Sequence, residues 1–194
     1  GWAVSNEKFW EPLRDYVDFL KIRGSYGIVG SDGFDDAGGT RHFVYFDQIV
    51  IGGGGGYNSG PSPSQQYWSV GPAVNGYASS NVHWERVKKL DIGFDLSLFR
   101  QLNITFDYFK DKRDRIMMTR ANWPEIFGYY NAVPWGQVGK AENEGYEFSV
   151  NWHKDFNRDW SIDLRGNFTY TKNKFVDKDE PNYTYPWQYK QGLP

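Results

Sequence analysis

Between Leu90 and Tyr108 apolar and polar residues alternate on either side of a short turn. Leu90, Ile92, Phe94, Leu96 and Leu98 share one face, and Asp91, Gly93, Asp95 and Ser97 share the other. Phe99, Arg100 and Gln101 reverse the chain, after which Leu102, Ile104, Phe106 and Tyr108 alternate with Asn103, Thr105 and Asp107. Successive side chains of a strand point to opposite faces, so a period of two predicts an antiparallel hairpin. Pairing Leu98 with Leu102 sets Leu96 against Ile104, Phe94 against Phe106 and Ile92 against Tyr108, all apolar. A slip of one residue would exchange the two faces, so pattern and register constrain each other. Further along this register Arg86 faces Asp114 and Leu90 faces Lys110, so the apolar face stops near Leu90 and Tyr108 while the ladder can continue. One face is greasy and the other wet, and the fold depends on which medium meets each.

Composition narrows the choice. The formal charge is −2 with no basic stripe, which argues against nucleic acid as a partner. There is no cysteine, and His42, His83 and His153 lie far apart, so no thiolate or histidine metal site and no cofactor is expected. No run approaches the roughly 18 apolar residues of a membrane helix, which leaves membrane barrels untouched, since their strands alternate over only about 10 residues each. No charged-then-apolar leader opens the chain, so no signal peptide is expected within it. Aromatic residues make up 19% of a glycine-rich chain, which suits a barrel or a sandwich alike.

In chain order, Trp2 to Val4 reads as the tail of a strand, and Ser5 as the cap of a short helix carrying Phe9, Trp10 and Leu13, limited by Pro12. Strands are expected near 20–28, 82–98, 102–116, 141–153 and 160–174, with long loops at 31–81, 117–140 and 175–194, all within one barrel domain spanning 1–194. The first loop holds Asp32, Asp35 and Asp36, a strand-like Phe43–Phe46, the run Gly52–Gly56, and Pro61, Pro63 and Pro72. In the last strand pair, a turn near 155–159 that sets Trp152 against Trp160 places Gly166 opposite Tyr146, where an aromatic would cover it. The short turns at 99–101 and 155–159 fall at one end of the strands and the long loops at the other. Outer-membrane barrels have this asymmetry. Eight steps from Leu90 to Leu98, tilted by about 40°, span roughly 20 Å along a membrane normal, with Tyr26, Tyr108, Trp152, Trp160 and Tyr170 as interfacial aromatics. The expected fold is therefore all-β: an antiparallel transmembrane barrel section with short periplasmic turns and long extracellular loops.

Other motifs carry less. Gly52–Gly56 lacks the Gly-Lys-Ser/Thr of a phosphate loop and reads as loop. The Asp32, Asp35 and Asp36 patch lacks EF-hand spacing and reads as solvated. Glu147 and Asp163 could mimic a glycosidase pair but read as lumen lining. Three Asn-X-Thr sequons, at Asn103, Asn167 and Asn182, are moot in a bacterial outer-membrane protein. The loop aromatics Tyr57, Tyr67, Trp68, Trp123, Phe127, Tyr129, Tyr130 and Trp135 are the candidate substrate-binding residues, since flat rings stack on sugars or peptide side chains. Packing between loops, or contact with a partner protein, is the structural alternative. A soluble β-sandwich lectin or carbohydrate-binding module is the rival fold and function, because period two cannot tell lipid from a second sheet. It requires a two-sheet core made within this chain.

Several segments resemble, in order, strand signatures of the SusC/RagA family of TonB-dependent outer-membrane transporters. They are Leu20-Lys21-Ile22-Arg23-Gly24-Ser25-Tyr26-Gly27-Ile28-Val29-Gly30, Trp84-Glu85-Arg86, Leu90-Asp91-Ile92-Gly93-Phe94-Asp95 and Phe106-Asp107-Tyr108-Phe109-Lys110, then Asn143-Glu144-Gly145-Tyr146-Glu147 and Phe168-Thr169-Tyr170-Thr171-Lys172-Asn173-Lys174. Trp2 to Phe9 is similar to the segment before them. The resemblance implies a plugged barrel of about 22 strands, of which this chain supplies about five or six. It also implies import of glycans or peptides across a Gram-negative outer membrane, with a SusD-like surface lipoprotein as lid, TonB as energy source, outer-membrane lipid around the wall and no enzymatic chemistry. The plug and TonB box are not expected within this chain, which reads as an internal portion of the second half of the barrel. A TonB-independent porin is disfavoured by the resemblance alone.

Overall fold

The computed structural model describes residues 1–33, 35–36, 39–40, 43–52, 56–124, 126 and 133–194. In chain order the strands are β1 (Trp2–Ala3), β2 (Val17–Ser31), β3 (Asp35–Asp36), β4 (Gly39–Thr40), β5 (Gln48–Val50), β6 (Gly56–Ser59), β7 (Tyr67–Val70) and β8 (Ala73–Gly76), followed by the long β9 (Glu85–Leu98), β10 (Leu102–Thr119), β11 (Trp135–Asp155) and β12 (Ser161–Asp177). One six-stranded antiparallel sheet runs β1-β2-β9-β10-β11-β12. The small hairpins β3–β4, β5–β8 and β6–β7 all lie in the connection from β2 to β9. The long strands outrun the alternation: β10 reaches Thr119 and β11 starts at Trp135.

The first hairpin has the register that its pattern demands. Leu98 pairs with Leu102, Leu96 with Ile104, Phe94 with Phe106, Ile92 with Tyr108, Leu90 with Lys110 and Arg86 with Asp114. Neighbouring strands extend the same rows, Leu20–Leu96–Ile104–Val150 and Ile22–Phe94–Phe106–Phe148–Phe168. Phe94 and Phe106 stack at 5.6 Å, and Tyr146 lies 5.3 Å from Tyr170 and 6.0 Å from Phe168. Among the described residues nothing covers this apolar face. Phe168 is 55% exposed and Leu164 56%, and among the described residues only Val4, Val87 and Met117 are buried hydrophobics. A β-sandwich would set a second sheet about 10 Å away on this face. The described residues supply none, so the sandwich reading falls.

The opposite face is polar and ties three strands together. The Arg23 guanidinium on β2 donates to both carboxylate oxygens of Asp107 on β10 at 2.9 Å, and lies 3.2 Å from Asp95 on β9. Thr105 Oγ1 donates to Asp95 at 3.3 Å. Gly93 sits between Arg23 and Asp107 in the ladder, and a Cβ there would run into the Asp107 carboxylate. That glycine is what lets the carboxylate lie flat across the sheet to reach the arginine.

The turns explain three departures from the sequence reading. Ser5 caps no helix: it is a buried residue of a 3₁₀ turn, Val4–Asn6, and a second 3₁₀ segment, Lys8–Leu13, starts after Glu7 with no side-chain cap. Phe43–Phe46 is not a strand, because Phe43 takes a left-handed φ of 57° and the Phe46 N–H closes a turn onto Phe43 O at 3.0 Å. Gly166 faces Val150, not Tyr146, which pairs with Tyr170, while Trp152 pairs with Leu164. The β11–β12 turn lies further out than expected because Asn157 Oδ1 accepts the N–H groups of Asp159 (3.2 Å) and Trp160 (2.9 Å), and Phe156 N–H bonds Trp160 O at 3.0 Å. The first hairpin turn puts Phe99 and Arg100 both at positive φ (54° and 53°). The Phe99 N–H bound to Tyr16 O and the Arg100 N–H bound to the Asp18 carboxylate hold that turn against β2.

Two substitutions in the full-length protein separate the faces. Phe106→Arg, in the middle of the apolar band, should destabilise the membrane-inserted barrel by about 2–4 kcal/mol, whereas Asn167→Lys on the polar face should change little. Urea unfolding in lipid vesicles, followed by Trp fluorescence, measures both, and equal effects would contradict the assignment of faces. Gly93→Ala should push Asp107 off Arg23 and cost about 1–3 kcal/mol by the same assay, the range for a lost charge-assisted bond.

Candidate functional site

The candidate surface lies at the end of the sheet that carries the long connections, and it is built on the polar wall below them. Along that wall the cross-strand rows read Lys21–Asp95–Thr105–Ser149–Asn167 and Arg23–Gly93–Asp107–Glu147–Thr169. A shallow cleft lined by Thr105, Asp107, Glu147, Ser149, Asn167 and Thr169 opens on it. Glu147 and Asp163 form no carboxylate pair. Asp163 pairs with His153, six residues from Glu147 along β11 or about 20 Å, well beyond the roughly 5–9.5 Å between glycosidase carboxylates. Asp163 instead meets the His153 ring at 2.7 Å, and Asp155 lies on the other ring nitrogen at 3.3 Å. Among the described residues no group of three His, Asp or Glu side chains is placed to hold a metal.

Above the wall, β6 and β7 present three of the candidate aromatics. Pairing of Tyr57 with Ser69 and Ser59 with Tyr67 puts Tyr57 and Tyr67 on one face of this hairpin and Trp68 on the other. Trp68, 61% exposed, lies over Gly56, where a Cβ would come within 2.7 Å of its ring. The structure therefore joins Tyr57 with Tyr67 and turns Trp68 away from them. Trp135 opens β11 opposite Thr119, and Trp123 lies in the connection before it. Phe127, Tyr129 and Tyr130 fall outside the described residues, as do the side chains of Asp35 and Asp36.

Of the aromatics expected at membrane interfaces, Tyr108 and Tyr170 share one row with Ile92 and Tyr146, at the upper edge of the apolar band, and Tyr26 sits two residues higher, opposite Leu90. Trp152 lies at the other edge in the row of Leu98, Leu102 and Leu164, and Trp160 sits in the β11–β12 turn beyond it. Tyr146, which the sequence reading left out, completes the upper row.

Two further features escaped the sequence reading. A cleft of about 400 Å³ lies at the base of the first long connection, lined by Asp32, Tyr45, Ser79, Val82, His83 and Trp84. Gln137 at the start of β11 clamps it, accepting the His83 N–H at 2.8 Å and donating to His83 O. After β12 the chain folds back, with Gly192 N–H on Phe175 O at 2.7 Å and Glu180 accepting the N–H groups of Lys190 (2.8 Å) and Gln191 (3.2 Å). This tail displays Tyr185 stacked on Trp187 at 4.5 Å and 11°, with Trp187 76% exposed. The spacing of two among Tyr183, Tyr185, Trp187 and Tyr189 was the available signal. Chemically the surface offers stacking faces, neutral or paired polar groups and the carboxylate of Glu147, and among the described residues no nucleophile is set against a base.

The chain is similar to known proteins over nearly its whole length. A family model described as TonB dependent receptor-like, beta-barrel matches residues 14–193. TonB-dependent receptor P3 of Formosa agariphila is 36% identical over 179 residues, covering 91% of this chain and 16% of that protein. TonB-dependent receptor SusC of Bacteroides thetaiotaomicron is 25% identical over 188 residues, covering 94% of this chain and 17% of SusC. Solved structures of the RagAB peptide importer share the fold: the closed-closed state has a TM-score of 0.68 at 17% identity, covering all of this chain and 20% of that one. The open-open state gives 0.70 at 16% identity, with 19% of that chain covered. This chain thus spans about a sixth of the length of the curated relatives it matches. With its apolar outer face, polar inner face and long connections at one end, it belongs to the TonB-dependent receptor-like β-barrel family, as a section of barrel wall in the bacterial outer membrane.

Proposed function

We propose that the full protein containing this section imports glycans or peptides across the outer membrane. The observation that carries this reading is the family match across residues 14–193 on a sheet whose two faces suit lipid outside and a water-filled or plugged lumen inside. Strands of this wall contribute no bond chemistry; they position the long loops at the extracellular mouth. Capture falls to aromatics at this end of the sheet, Tyr57 with Tyr67 on one hairpin face, Trp68 on the other, Trp123, Phe127, Tyr129 and Tyr130 in the next loop, and Trp135 at the start of β11. Passage then follows when TonB acts on a plug elsewhere in the protein, with a SusD-like lipoprotein covering the mouth. Tyr26, Tyr108, Tyr146 and Tyr170 above the band, and Trp152 and Trp160 below it, hold the wall at the two lipid–water interfaces, where amphipathic rings are favoured. RagAB is a peptide importer, so peptides stand beside glycans as the cargo class.

Growth of the native host on single glycans or peptides, with the gene intact, deleted or complemented, tests the reading. Loss of growth on one class, reproduced by removing TonB, is the expected result; growth on every class unaffected by deletion would refute import. Trp68→Ala and Tyr67→Ala in the complementing copy should each weaken cargo binding by roughly three- to tenfold, the equivalent of about 0.5–1.5 kcal/mol of stacking. Calorimetry on the purified full-length protein measures it, and unchanged affinity in both variants would remove the β6–β7 hairpin from the capture surface.

A further inference from the structure

The outward face does not end with its apolar band. Beyond the Tyr108–Tyr146–Tyr170 row the same face continues as Leu90–Lys110–Glu144–Lys172, then Lys88–Lys112–Glu142–Lys174, then Arg86–Asp114. The first charged row lies two residues, or about 7 Å, past the tyrosines along the strands. Six cations stand there against three carboxylates, Asp114, Glu142 and Glu144. Each carboxylate is engaged: Glu144 by Lys110 at 2.6 Å, Glu142 by Lys112 at 3.4 Å and Lys174 at 3.3 Å, and Asp114 by Arg86 at 2.7 Å. Lys172 and Lys88 form no ion pair with any of them.

Lys88 is the telling residue. Its ladder partners are Lys112 on one side and Ile28 on the other, so a like charge faces it directly and no counter-charge sits across from it on β2. Like charges opposite one another weaken a sheet, and the carboxylate that Lys88 does act on, Asp114, is already held by Arg86. The lumen face at the same height carries no such surplus. There Lys89 lies 3.8 Å from Asp111 and Arg113 lies 3.6 Å from Glu85, with Asp91 in addition. The excess cation is confined to the face that continues the lipid-contacting band.

We propose that this outward belt, centred on Lys88, Lys112 and Lys172, binds the phosphate groups of the glycolipid headgroups in the outer leaflet. Lysine stems lie along the strand surface while their ammonium groups reach outward, and an anion between Lys88 and Lys112 turns a repulsive pair into a bidentate site. The ligand is a lipid headgroup and not free phosphate because the acyl chains of the same molecule cover the adjoining apolar rows of Ile92, Phe94 and Phe106. Such headgroup binding seats the wall at a fixed depth. It does not depend on what the protein imports.

The test uses the full-length protein in detergent, with phosphorylated lipid A, enzymatically dephosphorylated lipid A and inorganic phosphate as probes, and native mass spectrometry as the readout of bound lipid. Phosphorylated lipid A should bind at least tenfold more tightly than the dephosphorylated form, and raising the salt from low to high ionic strength should shrink that ratio. The combined Lys88→Gln, Lys112→Gln and Lys172→Gln variant should reduce the ratio to threefold or less, and Lys89→Gln on the lumen face should leave it unchanged. Compact migration in unheated detergent gels verifies that the variants are folded. Should the triple variant fail to fold, the lipid ratio and salt dependence of the unmodified protein decide. Equal binding of the two lipids, an unchanged ratio in the folded triple variant, or displacement of lipid A by micromolar inorganic phosphate would each overturn the proposal. The assay contains no import cargo, so its failure and a failure of the import reading are separate results.

Discussion

A backbone polar group in hydrocarbon has no water to turn to, and the rest of this wall follows from that constraint. Every irregularity in the long ladders lies beyond the apolar band or at its lower edge. The β10–β11 register shifts fall between Arg113 and Met117, where Arg115 takes a positive φ of 63°. The β11–β12 shift falls at Lys140, and the β2–β9 shift between Val17 and Phe19, at the turn end. Between Leu102 and Arg113 the β9–β10–β11 ladders run without a break. A bulge leaves one residue unpaired, which water at the rims can satisfy and lipid cannot. Uninterrupted pairing then keeps the alternation in phase across five strands, so each strand shows an apolar face to one medium and a polar face to the other.

Pairing alone does not choose the inner surface; that role falls to side chains of the polar face. Arg23 reaches past Gly93 to Asp107 and spans three strands, so a slip of β2 against β9 would separate it from its carboxylates. A slip of β2 by one residue would also send Leu20 and Ile22 to the lumen and Arg23 to lipid, where a cation costs about 2–4 kcal/mol at mid-depth. The two faces therefore enforce one register from opposite sides.

What could be read from the sequence divides along the same line. The β9–β10 register was legible because its turn is short and the four cross-strand pairs from Leu98–Leu102 to Ile92–Tyr108 on one face are all apolar, and the Arg86–Asp114 pair followed from it. The β11–β12 register was not, because a shift of four residues preserves the alternation. Only the turn distinguishes the two, and Asn157, through its side-chain bonds to Asp159 and Trp160, sets the turn. The hairpins β5–β8 and β6–β7 left no periodic trace, since both of their faces meet solvent. For the candidate site the residue types were legible and their grouping was not: Tyr57, Tyr67 and Trp68 stand close in sequence, yet strand alternation in β7 separates Trp68 from the tyrosines. The tail platform of Tyr185 and Trp187 went unread because its order comes from Glu180, ten residues before its bonding partner Lys190.

The length of the strands above the band completes the picture. From Tyr108 to Thr119, β10 rises eleven steps, or roughly 28 Å along the normal at a tilt of about 40°. From Lys110 to Asp114 the outward face is a charge ladder whose exposed pairs each contribute about 0–1 kcal/mol, too little to be its reason for existing. The backbone ladder makes the extension stiff; the charges decide where it stops being membrane. Moving Lys110 and Lys112 down into hydrocarbon would cost far more than their ion pairs return, and Lys172 has no such pair to offset its cost, so the apolar band ends at the tyrosine row, with charge above it and Phe94, Phe106 and Phe148 below. The long connections are consequently displayed on a strand rim that extends well beyond the apolar band.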